Sequence, residues 1–370
     1  MNKTIHIVSF DVPYPPDYGG VMDVFYRIVA LFDAGFDIHL HCFEYGRGEQ
    51  KELEKYTKSV TYYQRLGKFF SSLKKTPMIV ASRSNQTLLA NLLIDKHPIL
   101  FEGQHCTAFL NHPKLKNRTK LVRIHNVEHH YYKALAANEK STLKRAFFKQ
   151  EAAKLKKTEH TLALASHLLC ITEKDKNYYA TKFNNVSYLP VAFPLTFSTT
   201  EKKKQPFTLF HGNLSVGENI NAVNWLLRDI APRLNHKLII AGKNPTKELV
   251  KKAAVISNVE LVENPDKSKM QTLMDETKAH LLITFQKTGI KLKLLNALTT
   301  NGDVVVNQKM VENTNLAKFC TIKETATEFI NYLNGKAAEA ITPLQFEQRK
   351  TSITAHYSPD VHVEIINDLL

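Results

Sequence analysis

The chain has 370 residues, of which 43% are hydrophobic and 23% charged; that length suits two domains of roughly 150–200 residues each and that balance excludes wholesale disorder. No apolar run approaches the roughly 18–20 residues of a membrane-spanning helix. The formal charge of +15 favours anionic partners, among them nucleotide sugars, lipid phosphates and an anionic membrane surface. Nucleic acid is not expected, because zinc-finger spacings and the Arg/Lys-Gly-aromatic patterns of RNA-binding sheets are absent.

The first ten residues read as a strand that starts almost at once, without the apolar core of a signal peptide. Strands are predicted at Thr4–Phe10, Asp37–Phe43, Ser59–Tyr63, Ile99–Phe101, Lys120–His125 and Leu168–Ile171, with helices between them. The clearest runs from Val21 to Ala34, where Val24, Ile28 and Leu31 recur at helical spacing. A polar, charged run over Ser198–Pro206 reads as a linker. A second series follows, with strands at Phe207–His211, Lys237–Ala241, Val259–Val262, His280–Thr284 and Asp303–Asn307, and helices at Asn221–Leu234 and Lys291–Thr300. Strand–helix alternation on both sides of a linker implies an α/β class of two Rossmann-like domains. The expected division is 1–197, 198–345 and a C-terminal helical segment, 346–370, that can cross back to the first domain. Cys42, Cys106, Cys170 and Cys320 are far apart in apolar surroundings, as reduced thiols of the cytoplasm are.

In parallel sheets ligands collect at the carboxyl ends of strands, so the loops there hold the candidate residues. The first, Asp11–Gly20, brings Gly19 and Gly20 to a helix start, where the backbone can approach an anion. Two basic-aromatic segments stand out in the first half. One is Lys140–Glu159, a helical pattern with an apolar stripe of Phe148, Ala152 and Leu155 and seven basic residues. The other sets Arg65, Lys68, Lys74 and Lys75 around Phe69 and Phe70. Both suit contact with anionic lipid at the inner face of the cell membrane; the helix suits simple packing of its stripe as well.

The Pro-Tyr-Pro-Pro-Asp-Tyr-Gly-Gly segment ending at Gly20 resembles the opening loop of the family-four GT-B glycosyltransferases. His211-Gly-Asn-Leu-Ser, Ala-Gly-Lys-Asn-Pro at 241–245 and Thr288–Ala297 follow in the order of that family's donor domain. The resemblance implies two Rossmann-like domains facing each other across a cleft, the second binding a nucleotide-diphosphate sugar and the first a glycan or lipid-linked glycan acceptor. Neither cofactor nor metal is implied. Donor contacts are then expected from Gly19, Gly20, Gly212, Asn213, Lys243, Thr288, Gly289, Ile290, Lys291, Lys293 and Asn296. Gly289 at a strand-to-helix junction would let backbone N–H groups meet a diphosphate, with Lys291 or Lys293 beside it. Lysines at i and i+2 do not share a helix face, so one of the two is expected at the phosphates.

The chain departs from the family at the paired glutamates, where Thr288 and Asn296 stand, and at the usual Arg and Lys, where Asn213 and approximately Glu218 stand. These departures support a rival reading, a non-catalytic GT-B subunit that binds a glycan or partner enzyme. A sugar-nucleotide epimerase of similar architecture fits the opening loop and the Lys-Leu-Lys segment less well. On the acceptor side, His125, Asn126 and Glu128 follow one strand and His105 follows its neighbour. A histidine's proton affinity suits it to accept a hydroxyl proton, so His125 is the expected catalytic base, with Glu128 and Asp17 as further catalytic candidates and His105 and Asn126 as acceptor contacts. Four neighbouring histidines also raise a metal site, but no HExxH pattern accompanies them. The expected activity is hexosyl-type transfer to a hydroxyl in bacterial surface polysaccharide or glycan assembly.

Overall fold

The computed structural model describes residues 3–67, 75–198, 204–285, 292–312, 314–335 and 341–370. The chain forms two compact units, Met1–Pro194 with His356–Leu370, and Leu195–Ala355.

In the first unit the strands are β1 (Lys3–Ser9), β2 (Phe36–Glu44), β3 (Ser59–Gln64), β4 (Ile99–Glu102), β5 (Lys120–Ile124), β6 (His167–Cys170) and β7 (Val186–Tyr188). They make one parallel sheet in the order β3-β2-β1-β4-β5-β6-β7. Helices cover both faces, so the inner strands are apolar on both sides: Ile5, Ile7 and Val8 of β1 are fully buried, as are Ile99, Leu100 and Phe101 of β4. Chain order reverses between β1 and β4, which opens a crevice at their carboxyl ends. The helix Pro359–Leu369 belongs to this unit and buries Ile366 in the core cluster that holds Val24, Ile28 and Leu31.

The second unit repeats the plan. Its strands are β8 (Gln205–Asn213), β9 (Lys237–Lys243), β10 (Val259–Glu263), β11 (Thr277–Leu282), β12 (Asp303–Val306) and β13 (Thr321–Ile322). They are parallel, in the order β10-β9-β8-β11-β12-β13. The reversal here lies between β8 and β11.

Each strand expected from the sequence is present, with ends shifted by a few residues; β11 starts at Thr277 rather than His280. The short edge strands β7 and β13 lack the apolar run that marks the others. The expected helix Asn221–Leu234 is a regular helix only over Gly217–Trp225. A π turn, Leu226–Ile230, and a 3₁₀ turn, Ala231–Arg233, complete it, because Pro232 cannot supply the N–H of a continuing α-helix. The first helix spans Gly19–Asp33, so Gly19 and Gly20 open the helix instead of preceding it. Packing explains Gly20: a Cβ there would lie 2.8 Å from Cζ of Phe10. Of the expected linker, residues 199–203 lie outside the described residues, and β8 begins at Gln205.

Candidate functional site

At the carboxyl ends of β1, β4 and β5, two expected residues, His105 and His125, come together. Phe10, the residue after β1, packs on His105 (ring centroids 5.6 Å apart) and edge-on to His125 (5.4 Å). Gly103 follows β4 with φ +82°, where a side chain is strained, and a Cβ there would come within 2.9 Å of His105 Nδ1 and 3.4 Å of His125 Cδ2. His105 Nδ1 and His125 Nε2 are both buried and have no hydrogen-bond partner among the described residues. Burial, with Arg83, His125 and Arg65 nearby, holds His105 well below the usual histidine range, so its ring is neutral.

Beneath His125 lies a buried charge network that the sequence reading missed. Arg27 Nε donates to Glu102 Oε1 (3.1 Å), and Arg27 NH2 donates to Asp23 Oδ2 (2.7 Å). Arg123 donates to both carboxylate oxygens of Asp23, at 2.9 and 3.2 Å. All four side chains are fully buried or within 1% of it. Burial alone would raise the Asp23 pKa, but the guanidinium groups of Arg123 and Arg27 outweigh it and hold the carboxyl well below its usual range. Glu102 Oε2 stands 3.7 Å from His125 Nε2. Asp23, Glu102 and His125 bring ligand atoms within 4.8 Å of one another, as a cation site would. Two guanidinium groups already balance the two carboxylates, so the cluster is complete as an ion network. A signal was available: Asp23 and Arg27, four residues apart, sit on the same buried helix face as Val24 and Ile28.

The other acceptor-side candidates scatter. Glu128, expected at the open end of the strand, is buried, 3% exposed, in the first turn of the helix Glu128–Asn138. Burial pushes its pKa up to about 7; a hydrogen bond from Asn126 opposes the rise, and the Asp175 carboxylate adds to it. Asn126 thus touches Glu128. Asp17 is exposed and paired with Arg47 at 2.9 Å. His129 turns away from His105 and His125: its Nε2 lies 2.7 Å from the Tyr178 hydroxyl and 3.0 Å from Glu159. His130 packs on His129 and Tyr178. The four histidines therefore do not converge.

In the second unit the residues at the end of β8 form a compact polar corner. The β8–β9 ladder runs to the pair Asn213–Lys243, and Leu214 N donates to Lys243 O (2.8 Å). A Cβ on Gly242 would lie 1.8 Å from Gly212 O, so only glycine allows this approach of the two strand ends. Asn219 Nδ2 donates to Asn213 O (2.9 Å), while Lys293 Nζ donates to Asn219 Oδ1 (2.8 Å) and lies 5.0 Å over the Phe210 ring. Gly212 gives Asn219 room: a Cβ there would come within 3.0 Å of its Nδ2. The Thr284 hydroxyl, just past β11, donates to Glu218. Burial and the nearby Lys293 ammonium push the His211 pKa down to about 3, so the ring is neutral. Gly212, Asn213, Lys243 and Lys293 are therefore drawn to one strand-end corner, and half-buried Asn296 follows Lys293 one helical turn later. Asn219 and Phe210 are the additions that sequence reasoning missed. Thr288, Gly289, Ile290 and Lys291 lie outside the described residues.

No protein-family profile matches the chain. A 44.6 kDa protein of the cps region of Klebsiella pneumoniae, described as uncharacterized, is 30% identical over 321 residues, 81% of this chain and 82% of that one. Among solved structures, TarM of S. aureus aligns over 100% of this chain and 99% of its own, at 12% identity and a TM-score of 0.68. HepE of Anabaena, in complex with UDP-glucose, aligns over 99% of each chain, at 10% identity and a TM-score of 0.63. The two parallel sheets are those of the GT-B glycosyltransferase fold.

Proposed function

The chain belongs to the same family as the Klebsiella pneumoniae cps-region protein, and from that membership and the GT-B fold we infer a glycosyltransferase of surface-polysaccharide assembly. It moves a sugar from a nucleotide-diphosphate donor to a hydroxyl of a glycan or lipid-linked glycan. The observation that carries this reading is the corner where Gly212, Asn213 and Lys243 end their strands and Lys293 reaches Asn219. Such a corner, at the point where strand order reverses, suits a diphosphate. Lys293 brings to it a cation already oriented by Asn219. In this reading Gly289 and Ile290 supply further phosphate contacts, Lys291 meets the ribose side, and Thr288 and Asn296 hydrogen-bond donor hydroxyls. Phosphate charge is met by lysine and backbone N–H groups without a metal.

The acceptor belongs to the first unit, where His125 accepts the proton of the attacking hydroxyl and His105 and Asn126 contact the glycan. Of the remaining catalytic candidates, Glu128 is favoured over Asp17, whose carboxylate is committed to Arg47.

Calorimetry with UDP and the other nucleoside diphosphates tests the donor assignment. Lys293→Ala should weaken the preferred nucleotide roughly tenfold, about 1.4 kcal/mol; unchanged affinity would remove this corner as the donor site. With donor and acceptor in hand, His125→Ala should lower transfer by roughly 10²–10⁴-fold and leave nucleotide affinity unchanged. Full activity in that variant would reject His125 as the base.

A further inference from the structure

Arg83 is a buried charge with no carboxylate paired to it among the described residues; Asp11 and Glu128 act on it only from farther off. The residue is 4% exposed, and its polar contacts are all to neutral groups. Nε donates to Phe10 O (3.0 Å), and NH1 donates to Ile79 O (2.9 Å) and Ser82 Oγ (3.4 Å). No carboxylate lies within ion-pair distance of it among the described residues, and residues 68–74, outside them, contain no Asp or Glu. The other buried arginines of this unit, Arg27, Arg118 and Arg123, each have a carboxylate within 3.1 Å. Burial of a guanidinium without an ion-pair partner is costly, and it drags the Arg83 pKa down to about 10.

Two more donor groups stand around it. Leu66 N donates to Ser82 O (2.9 Å), which ties the chain at Arg65 to the chain at Arg83. Arg65 lays its guanidinium 4.2 Å over the Tyr45 ring, and its Nε is buried with no hydrogen-bond partner among the described residues. His105, with its own unpartnered Nδ1, packs on Phe10, the residue whose carbonyl Arg83 holds. Both arginines depress the proton affinity of His105. Three cationic or hydrogen-bonding groups thus cluster at the carboxyl ends of β1, β3 and β4, and none of them makes an ion pair with a carboxylate among the described residues.

We propose that Arg83, Arg65 and His105 form an anion site in the first unit that takes a phosphate or diphosphate group. The inference rests on the glycosyltransferase reading for its biological ligand, the diphosphate that links an acceptor glycan to its lipid. Arg83 supplies the fixed charge, since its fork is already held by two backbone carbonyls and is oriented before any ligand arrives. Arg65, stacked and half-buried, closes the site from the side. The neutral imidazole of His105 offers one further N–H to a phosphate oxygen.

The test is calorimetry with two probes, inorganic pyrophosphate and a polyprenyl diphosphate in detergent micelles, on the full chain. The expected result is that Arg83→Gln and Arg65→Gln each weaken both probes at least tenfold, while Lys293→Ala, in the second unit, leaves the micellar probe unchanged. UDP affinity measured on the same variants separates this inference from the donor reading, since the two arginine substitutions should leave it intact. Tighter binding of the micellar probe than of pyrophosphate identifies the lipid-linked source; equal affinities identify a site for free phosphate groups. Pyrophosphate binding that is lost in Lys293→Ala and kept in both arginine variants would overturn the proposal, as would failure of both probes to bind. Arg65→Gln keeps the test valid if Arg83→Gln fails to fold, because Arg65 makes no side-chain hydrogen bond or ion pair among the described residues. A purely structural Arg83 would lower the melting temperature in Arg83→Gln and leave both affinities unchanged.

Discussion

Glu128 is a carboxyl group with little to stabilise its charge. Buried in the first turn of its helix, with a second carboxylate at Asp175 nearby, it binds its proton up to about pH 7 in the native state, against 4.5 when unfolded. Between those values the native state holds a proton that the unfolded state has lost. Stability therefore falls as pH rises through that window, and the penalty is complete above it. The full difference amounts to about 3 kcal/mol. Glu128→Gln removes the titration and keeps the shape, so it should gain stability relative to the parent as pH rises from about 5 to 8. Urea unfolding of both proteins at the two pH values measures this. The many histidines that also titrate, His6 and His41 among them, cancel in that comparison. An unchanged difference between the two proteins would mean that Glu128 ionises normally. The same residue illustrates why sequence reading is limited at this scale. The sequence places Glu128 three residues past the end of a strand, and position alone cannot tell a carboxyl facing solvent from one folded under its own helix.

At the scale of elements, periodicity carries far. Apolar runs locate the inner strands of both sheets because those strands are buried on both faces and need no alternation. It fails where packing is thin, at β7 and β13, and where a helix changes pitch at Pro232. It is also blind to charges on an apolar face. The helix Gly19–Asp33 carries Asp23 and Arg27 inward with Val24 and Ile28, and only the sheet beside it, with Arg123 on β5 and Glu102 on β4, shows why. That network joins a helix to two strands directly under His125, and Ala192 N donates to Asp23 Oδ1 at 2.8 Å, adding the segment after β7. Asp23→Ala would leave Arg27 and Arg123 sharing one carboxylate, Glu102, in a dry interior. A loss of about 3–5 kcal/mol is expected, as for other broken buried pairs, measured as a lower urea midpoint at unchanged slope. A loss below about 1 kcal/mol would show that water reaches the cluster.

The donor corner was legible in part for the same physical reasons. Gly212 and the lysines announce themselves by residue type, whereas Asn219 acts only through its position between Asn213 and Lys293, which no spacing rule supplies.

At the scale of the whole molecule the excess of basic residues needs a location. No described helix is long and apolar enough to cross a membrane. The helix Thr142–Thr158 buries Ala152 and Leu155 on the domain, and Phe148 is half-buried beside them. Its basic residues divide into two sets. Lys154 pairs with buried Glu151 (2.8 Å) and Lys156 with buried Glu159 (3.1 Å), so both have structural work within the fold. Lys144, Lys149 and Lys157 are exposed and make no ion pair among the described residues, and Leu143 at the helix start is 83% exposed. Of the second basic-aromatic segment, which also holds Arg65 and Lys75, residues 68–74 lie outside the described residues. If the helix meets an anionic bilayer, each exposed lysine contributes about 1 kcal/mol near the surface, and reversing Lys144, Lys149 and Lys157 to Glu should weaken vesicle binding by about 100-fold or more. Binding to phosphatidylglycerol vesicles should also fall as salt rises from 0.05 to about 0.3 M, as the screening length shortens, and Leu143→Asn should weaken it at every salt concentration. Reversing Lys154 and Lys156 instead should lower the melting temperature, since each change sets two acids side by side. Sedimentation with vesicles that is indifferent to salt and to the triple reversal would assign the helix to packing alone.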